Sequence, residues 1–397
     1  MTRHHPTTAM RATTEDEVPR RPLSTWPECL ADVVVVDRTF RGRDRFARRL
    51  ESDRVVRQDS GALVGTDAGW LPSTLKGAIG EYVMAGSRYV VISADGHAGA
   101  DLRGYRPFLD SSYHDEFDRW VDTYVNPFGD LERPDANRNW DSDVRNAAVE
   151  ADGVVGEVVY PNTVPPFFPR SGLVASVPSA EDYRLRLAGL RAHNRWLAEW
   201  CDRLPGRRAG IGQILLNDVD DAIADVAWIA EHGLRGGLLL PGMPPGCGID
   251  PLHSPVYDPV WRACEERGVV LNAHGGSGSP DPGMFPASPT MFVLEASFFA
   301  HRPLWALVIS GVFDRFPGLK LVFAEAGSSW VRNTLRAMDT IQAKQESGNI
   351  GVMTIRNPFR LRMKPSEYWV TNCWLGSSFM TRADAEDRAE VGVDNIM

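Results

Sequence analysis

Residues 311–331 read GVFDRFPGLKLVFAEAGSSWV, and the apolar run LKLVFAE inside them decides the fold. It is short, has the pattern of a buried strand, and ends on a carboxylate, Glu325. Six further runs of the same kind lie from Tyr89 onward: RYVVISA (88–94), VVGEVVY (154–160), AGIGQILL (209–216), GGLLLP (236–241), GVVLNAH (268–274) and EYWVTNC (367–373). Helical stretches alternate with them, which predicts repeated βα units around a parallel sheet. The stretch 179–204 predicts a long helix, opened by a Ser/Glu capping pattern and stopped by Pro205-Gly206. Residues 258–267 predict another, with Gly268 as its stop. Seven strands are thus predicted, and the closing NIM of 395–397 opens an eighth. The expected fold is an α/β (β/α)8 TIM barrel, cut short at the start of its eighth strand.

Three of the loops that follow strands are rich in Pro and Gly: PNTVPPFFPRSG (161–172), PGMPPGCG (241–248) and GGSGSPDPG (275–283). In such a barrel these loops build the active-site face. Phe167 and Phe168, in the first of them, are expected either to wall the pocket or to anchor the loop. The remaining conspicuous residues read as structure. His193 and His232 are expected on helix surfaces, Asp258 as the cap of the helix that follows it, and Trp261 and Trp330 as anchors.

Residues 1–84 differ from the rest, with Arg-dense segments such as RTFRGRDRFARRL and few sustained apolar patterns. A poorly ordered extension is expected there, with Met84 as a candidate natural start, and residues 85–397 are expected to form the barrel domain. The chain of 397 residues carries a formal net charge of −9, which argues against a phosphate-binding surface and so against nucleic-acid partners. Five scattered cysteines form no CxxC pair, so a disulfide framework is not indicated. VVVV at 33–36 is far too short for a bilayer, and no longer spanning run is read from the sequence. A soluble, cytoplasmic protein without membrane partners is expected.

Asp95 and His97 end the first strand at i, i+2 spacing, which aims both side chains to one face and can chelate a divalent metal. The same pair could equally be a turn and a cap. His274 ends the fifth strand and is followed at once by glycines that allow close approach; it reads as a third ligand or as a satisfied loop histidine. Glu325 reads as a general acid or base for a metal-bound water, or as a carboxylate that only pairs within the mouth.

Taken together, residues 311–331, YDPVWRACEERGVVLNAHGG (257–276) and NRWLAEWCDRLPGRRAGIGQILLND (194–218) resemble amidohydrolase family 2. This group includes aminocarboxymuconate-semialdehyde decarboxylase and resorcylate-type decarboxylases. The likeness runs from about Tyr89 to Met397. It implies a barrel holding one catalytic metal, zinc first and manganese second, with ligands from strands one, five and eight, and it implies a homodimer. Asp95 and His97 stand where the family commonly has H-x-H, and His274 stands at the strand-five ligand. Glu325 stands where decarboxylating relatives tend to carry a His. The segment like WGSDYPH that would supply the strand-eight Asp is not among the 397 residues.

The first expectation of function is therefore a metal-dependent hydrolase acting on a small organic substrate, with catalytic Glu325 and His274 and metal ligands Asp95, His97 and His274. The alternatives are a metal-dependent, non-oxidative decarboxylase of a small aromatic or muconate-like acid, and a non-catalytic barrel or inactive fragment.

Overall fold

The computed structural model describes residues 33–35, 55–57, 63–65, 90–126, 131–170, 172, 174–348, 360–377 and 380–397. Seven parallel strands pair in chain order. They are β1 (Val90–Ala98), β2 (Val154–Pro161), β3 (Arg208–Gln213), β4 (Gly237–Leu239), β5 (Leu271–His274), β6 (Leu321–Ala324) and β7 (Cys373–Gly376).

The sheet is curled. In a flat sheet β1 and β5 would stand roughly 19 Å apart, four spacings of about 4.8 Å. Yet Asp95 of β1 reaches His274 of β5 at 3.1 Å, and Tyr160 of β2 reaches Asn272 of β5 at 3.2 Å. The interior they cross is closed below by Tyr160, Ile211, Leu239 and Ala324, one residue each from four strands. The main hydrophobic core lies on the other face, between sheet and helices, around Trp200, Trp261, Phe313, Phe323 and Trp369.

Val33–Val35 pairs in parallel with Val90–Ile92 at the free edge of β1, and Val55–Arg57 pairs antiparallel with Leu63–Gly65. The rest of the expected extension, Met84 included, lies outside the described residues. At the other edge Ile396 bridges Leu375 in parallel, and the Met397 N–H donates to the Leu375 carbonyl at 2.8 Å. The closing NIM thus occupies the place of a next strand.

Helix ends follow their local chemistry. Asp218 accepts from the Asp220 and Asp221 amides at the start of Val219–Glu231. Gly268, at φ 65°, stops Asp258–Arg267 in the left-handed conformation. Asp258 itself is a first-turn residue and not the cap; its carboxylate is taken by Arg315. The long helix is Tyr183–Asp202, entered through reciprocal bonds between Ser179 and Asp182.

Three further expectations need correction. The run EYWVTNC is not a strand: Pro365–Asn372 is a helix, and β7 begins only at Cys373. Pro365 fits its first turn, Glu367 accepts from the Lys364 amide at 2.7 Å, and Tyr368, Trp369 and Asn372 are buried at helical spacing. His193 is not on a surface but fully buried between Tyr105 and Trp196. A long apolar stretch was also overlooked, since residues Ser288–Ile309 are long and apolar enough, by length and composition alone, to cross a membrane. Its second half, Arg302–Ile309, buries Leu304, Leu307 and Val308 in the core, while Val293, Leu294 and Phe298 of the first half are exposed.

Candidate metal centre

Asp95 and His97 lie in the irregular part of β1, where the pairing register with β2 shifts between Ser93 and Gly96. Gly96 allows a close approach between them. A Cβ there would meet the Val158 carbonyl at 3.0 Å, Arg145 Nη2 at 3.1 Å and Glu157 Oε1 at 3.3 Å. Beneath it Arg145 donates to both Glu157 oxygens, at 2.6 Å from Nη2 and 3.2 Å from Nε, in a buried ion pair. That fork ties the helix Ser142–Ala151 to β2.

From across the lumen β5 delivers His274, with Asn272 one pleat below. Asn272 Nδ2 donates to the Gly236 and Leu238 carbonyls at 2.9 and 3.1 Å, and its Oδ1 accepts from the Tyr160 hydroxyl. Tyr160 lies against the His274 ring at 4.7 Å and the His97 ring at 5.9 Å, and forms the apolar floor of the site.

The ligating atoms of Asp95, His97 and His274 lie within 4.8 Å of one another. Asp95 Oδ1 is 3.1 Å from His274 Nε2 and 3.3 Å from His97 Nε2. His274 Nδ1 lies 2.9 Å from the Gly275 carbonyl, and His97 Nδ1 lies 3.4 Å from that of Pro161. A carbonyl can only accept, so each Nδ1 carries the proton and each neutral ring turns its Nε2 lone pair toward Asp95. Three acceptors then face a common point, an arrangement that fits a divalent cation held by one carboxylate and two imidazoles.

Without a cation, protons must balance the charge. Burial pushes the Asp95 carboxyl up, but hydrogen bonds and charge from His274 and His97 outweigh it and hold the group well below the usual carboxylate range. Burial likewise pulls His274 down, and is outweighed by Asp95 and Glu325, so its imidazole is raised above the ordinary value.

Glu325 follows β6 directly and sits at φ 51°, one of two non-glycine residues with positive φ among the described residues. Such a conformation costs on the order of 1–3 kcal/mol and is held only where the surroundings impose it. Gly275 makes room for it: a Cβ at 275 would come within 2.6 Å of the Glu325 carbonyl oxygen. The carboxylate lies 3.6 Å from His274 Nδ1, on the side of the ring away from Asp95, and is about a third exposed. The sequence-predicted set is therefore brought together, three residues as the cluster and Glu325 beside it.

Sequence reasoning missed Tyr160, Asn272 and the Arg145–Glu157 pair. Glu157 offered a signal, a lone charge in the middle of VVGEVVY. Phe167 and Phe168 divide the two roles expected of them: Phe167 packs on Phe117 and Trp120, while Phe168 lines a cleft.

The family model described as Amidohydrolase matches residues 121–342, more than half of the chain. The protein belongs to the amidohydrolase family. This amidohydrolase is 25% identical over 266 residues to 2-amino-3-carboxymuconate-6-semialdehyde decarboxylase of Dictyostelium discoideum, a match covering 64% of this chain and 66% of that protein. Against gamma-resorcylate decarboxylase of Rhodococcus jostii it is 29% identical over 147 residues, 34% of this chain and 44% of that one. The matches thus span less than two thirds of either relative. Among solved structures, an amidohydrolase from Mycobacterium avium subsp. paratuberculosis superposes with a TM-score of 0.58 at 21% identity, over 78% of this chain and 87% of that one. A 5-carboxyvanillate decarboxylase from Novosphingobium aromaticivorans, complexed with manganese and a nitrobenzoic acid, gives 0.56 at 18%, over 78% and 85%. These likenesses show the amidohydrolase fold.

Proposed function

We propose that this amidohydrolase is a metal-dependent, non-oxidative decarboxylase of a small aromatic or muconate-like acid. The observation that carries the reading is the convergence of Asp95 Oδ1, His97 Nε2 and His274 Nε2 on one point. Both curated relatives are decarboxylases, which supports this reading over the hydrolysis favoured on sequence grounds. The donor set suits zinc and manganese alike; manganese in the 5-carboxyvanillate decarboxylase structure gives the second no less support than the first.

Asp95, His97 and His274 would hold the metal, which when bound supplies positive charge against the negative charge that builds as carbon dioxide leaves. The Gly275 carbonyl keeps the His274 ring in the ligating tautomer, and Asn272 holds the Tyr160 hydroxyl. Tyr160 excludes water from below. The carbon that loses its carboxylate must gain a proton, and Glu325 is the proposed donor, held beside His274 by its imposed backbone. No step is assigned to the strand-eight carboxylate implied by the family resemblance. A cytoplasmic location belongs to the same proposal, supported by the free thiols of Cys201, Cys247, Cys264 and Cys373.

Carbon dioxide release from a panel of such acids, with metal supplied and then chelated, tests the reading. Release that stops on chelation is expected; hydrolysis of amides, esters or lactones with no release from any acid would overturn it. Hydrolysis stays a second reading because of one residue: Glu325, where decarboxylating relatives tend to carry His, also suits activation of a water. Incorporation of oxygen-18 from labelled water into the product would select it.

A further inference from the structure

We infer that the helix Ser288–Ala300, with the turn that leads into it, is the contact face of a homodimer, in which a second copy of this chain lays the same helix against it about a two-fold axis. The helix is 13 residues long, buries only Ser288 and Ala300, and carries one charged side chain, Glu295. Met284, Phe285, Met291, Val293, Leu294 and Phe298 are between 43% and 100% exposed. Met291, Leu294 and Phe298 fall at i, i+3 and i+7 and so line one face, with Val293 beside Leu294. Met284 and Phe285 lead into it from the turn, which Ser288 ties down: its Oγ accepts from the Phe285 amide and donates to the Pro282 carbonyl, both at 3.0 Å.

A helix without a polar face belongs in an interior, yet this one stands at the surface. Its six exposed side chains present on the order of 800 Å² of apolar area, more than a single soluble chain ordinarily leaves open and about what one partner contributes to an interface of standard size. An isologous contact needs a patch that complements itself, and a nearly uncharged apolar surface does so without any matching of charges. A lipid surface fits less well. The chain continues into Arg302–Ile309, where Leu304, Leu307 and Val308 are held in the core, which leaves an exposed rod of roughly 20 Å, too short for the ~30 Å interior of a bilayer. No Lys or Arg stands between Gly275 and Arg302, and the charged residues there, Asp281 and Glu295, are acidic, so nothing in the segment draws it to anionic lipid.

The inference does not depend on which reaction the protein catalyses, and sedimentation equilibrium on the full-length, metal-loaded protein tests it directly. At about 10 μM the wild type is expected to sediment at twice the 44.0 kDa of one chain. Val293→Asp and Leu294→Asp each place a charge at an exposed position of the face, so they spare the fold, which the circular dichroism spectrum checks, and each is expected to raise the dimer dissociation constant by about thirtyfold or more. Val125→Asp, at an exposed Val outside the face, is expected to leave that constant unchanged. Met291→Cys, near the middle of the face, introduces no charge and is expected to yield a covalent dimer with a bis-maleimide beyond any formed by the wild type. A monomeric wild type overturns the proposal, and flotation of that monomer with phosphatidylcholine vesicles would assign the helix to a lipid surface instead. A dimer that survives both aspartate variants unweakened, or that Val125→Asp disrupts equally, would place the contact elsewhere and overturn it as well.

Discussion

At Asp95, His97 and His274 three acceptor atoms converge and each ring is steered by a carbonyl on its other nitrogen, whereas at Arg186 and Gln213 the buried atoms are donors that nothing in the described chain accepts. Buried polar groups that only served stability would be expected to find partners within the chain, as Arg145 and Glu157 do.

The largest test of the contrast removes an acceptor. Asp95→Asn or His274→Ala is expected to weaken metal binding by about a hundredfold or more, because each ligand and its orientation contribute separately. Metal content after dialysis checks it, and full retention in both variants would dissolve the acceptor cluster as a metal site. Next, Glu325→Gln is expected to lower kcat by about a hundredfold to ten-thousandfold, the range for a lost general acid, with metal content unchanged. Metal loss in that variant would instead make Glu325 a positioning residue for His274. The donor cluster gives the smallest effect, with a sign opposite to most core changes. Gln213→Leu removes an unpartnered buried donor, worth roughly 1–3 kcal/mol when unsatisfied, so Tm is expected to rise by a few degrees; an unchanged or lowered Tm would show that the donor is satisfied.

A second contrast sets His274 against His193, both fully buried. Asp95 and Glu325 raise the first, while His193, with no hydrogen-bond partner at either ring nitrogen among the described residues, is pulled by burial to about 3. The unfolded chain binds a proton at a histidine near pH 6.5 and folded His193 does not until about 3. Stability is thus present in full above 6.5 and is lost as pH falls through that window, at about 1 kcal/mol per pH unit. His301, lowered to about 4 by burial, adds in the same direction. Urea midpoints between pH 7 and 4 are expected to fall less steeply in His193→Phe than in the wild type; parallel slopes would remove His193 as the cause.

Legibility in the sequence followed the range of the forces involved. Strand ends and the candidate ligands on them could be read because alternation and burial are local: Asp95 and His97 share a face by spacing alone, and an apolar run that stops at His274 or Glu325 marks a rim. EYWVTN was misread because Tyr, Trp and Val suit either a strand or a buried helix, and Pro365 with Glu367 decided the matter through end contacts that a period count ignores. His193 was invisible for another reason. Whether a polar residue on an amphipathic helix faces water or a neighbour depends on packing between elements far apart in the chain. Glu325 was placed at the end of its strand, but its positive φ, with Gly275 of a neighbouring strand's loop leaving room beside it, is encoded by no pattern within 319–325.

That left-handed backbone also bears on how the site can change over generations. Histidine tolerates the conformation better than glutamate does, so exchanging the two at position 325 demands no repair of the loop and relieves strain when it runs toward histidine. On the proposed reading, the proton carrier is thus an interchangeable part of a centre whose candidate ligands are fixed by geometry, and Glu325→His is a single step along which the chemistry of the barrel can drift while its fold stays where it is.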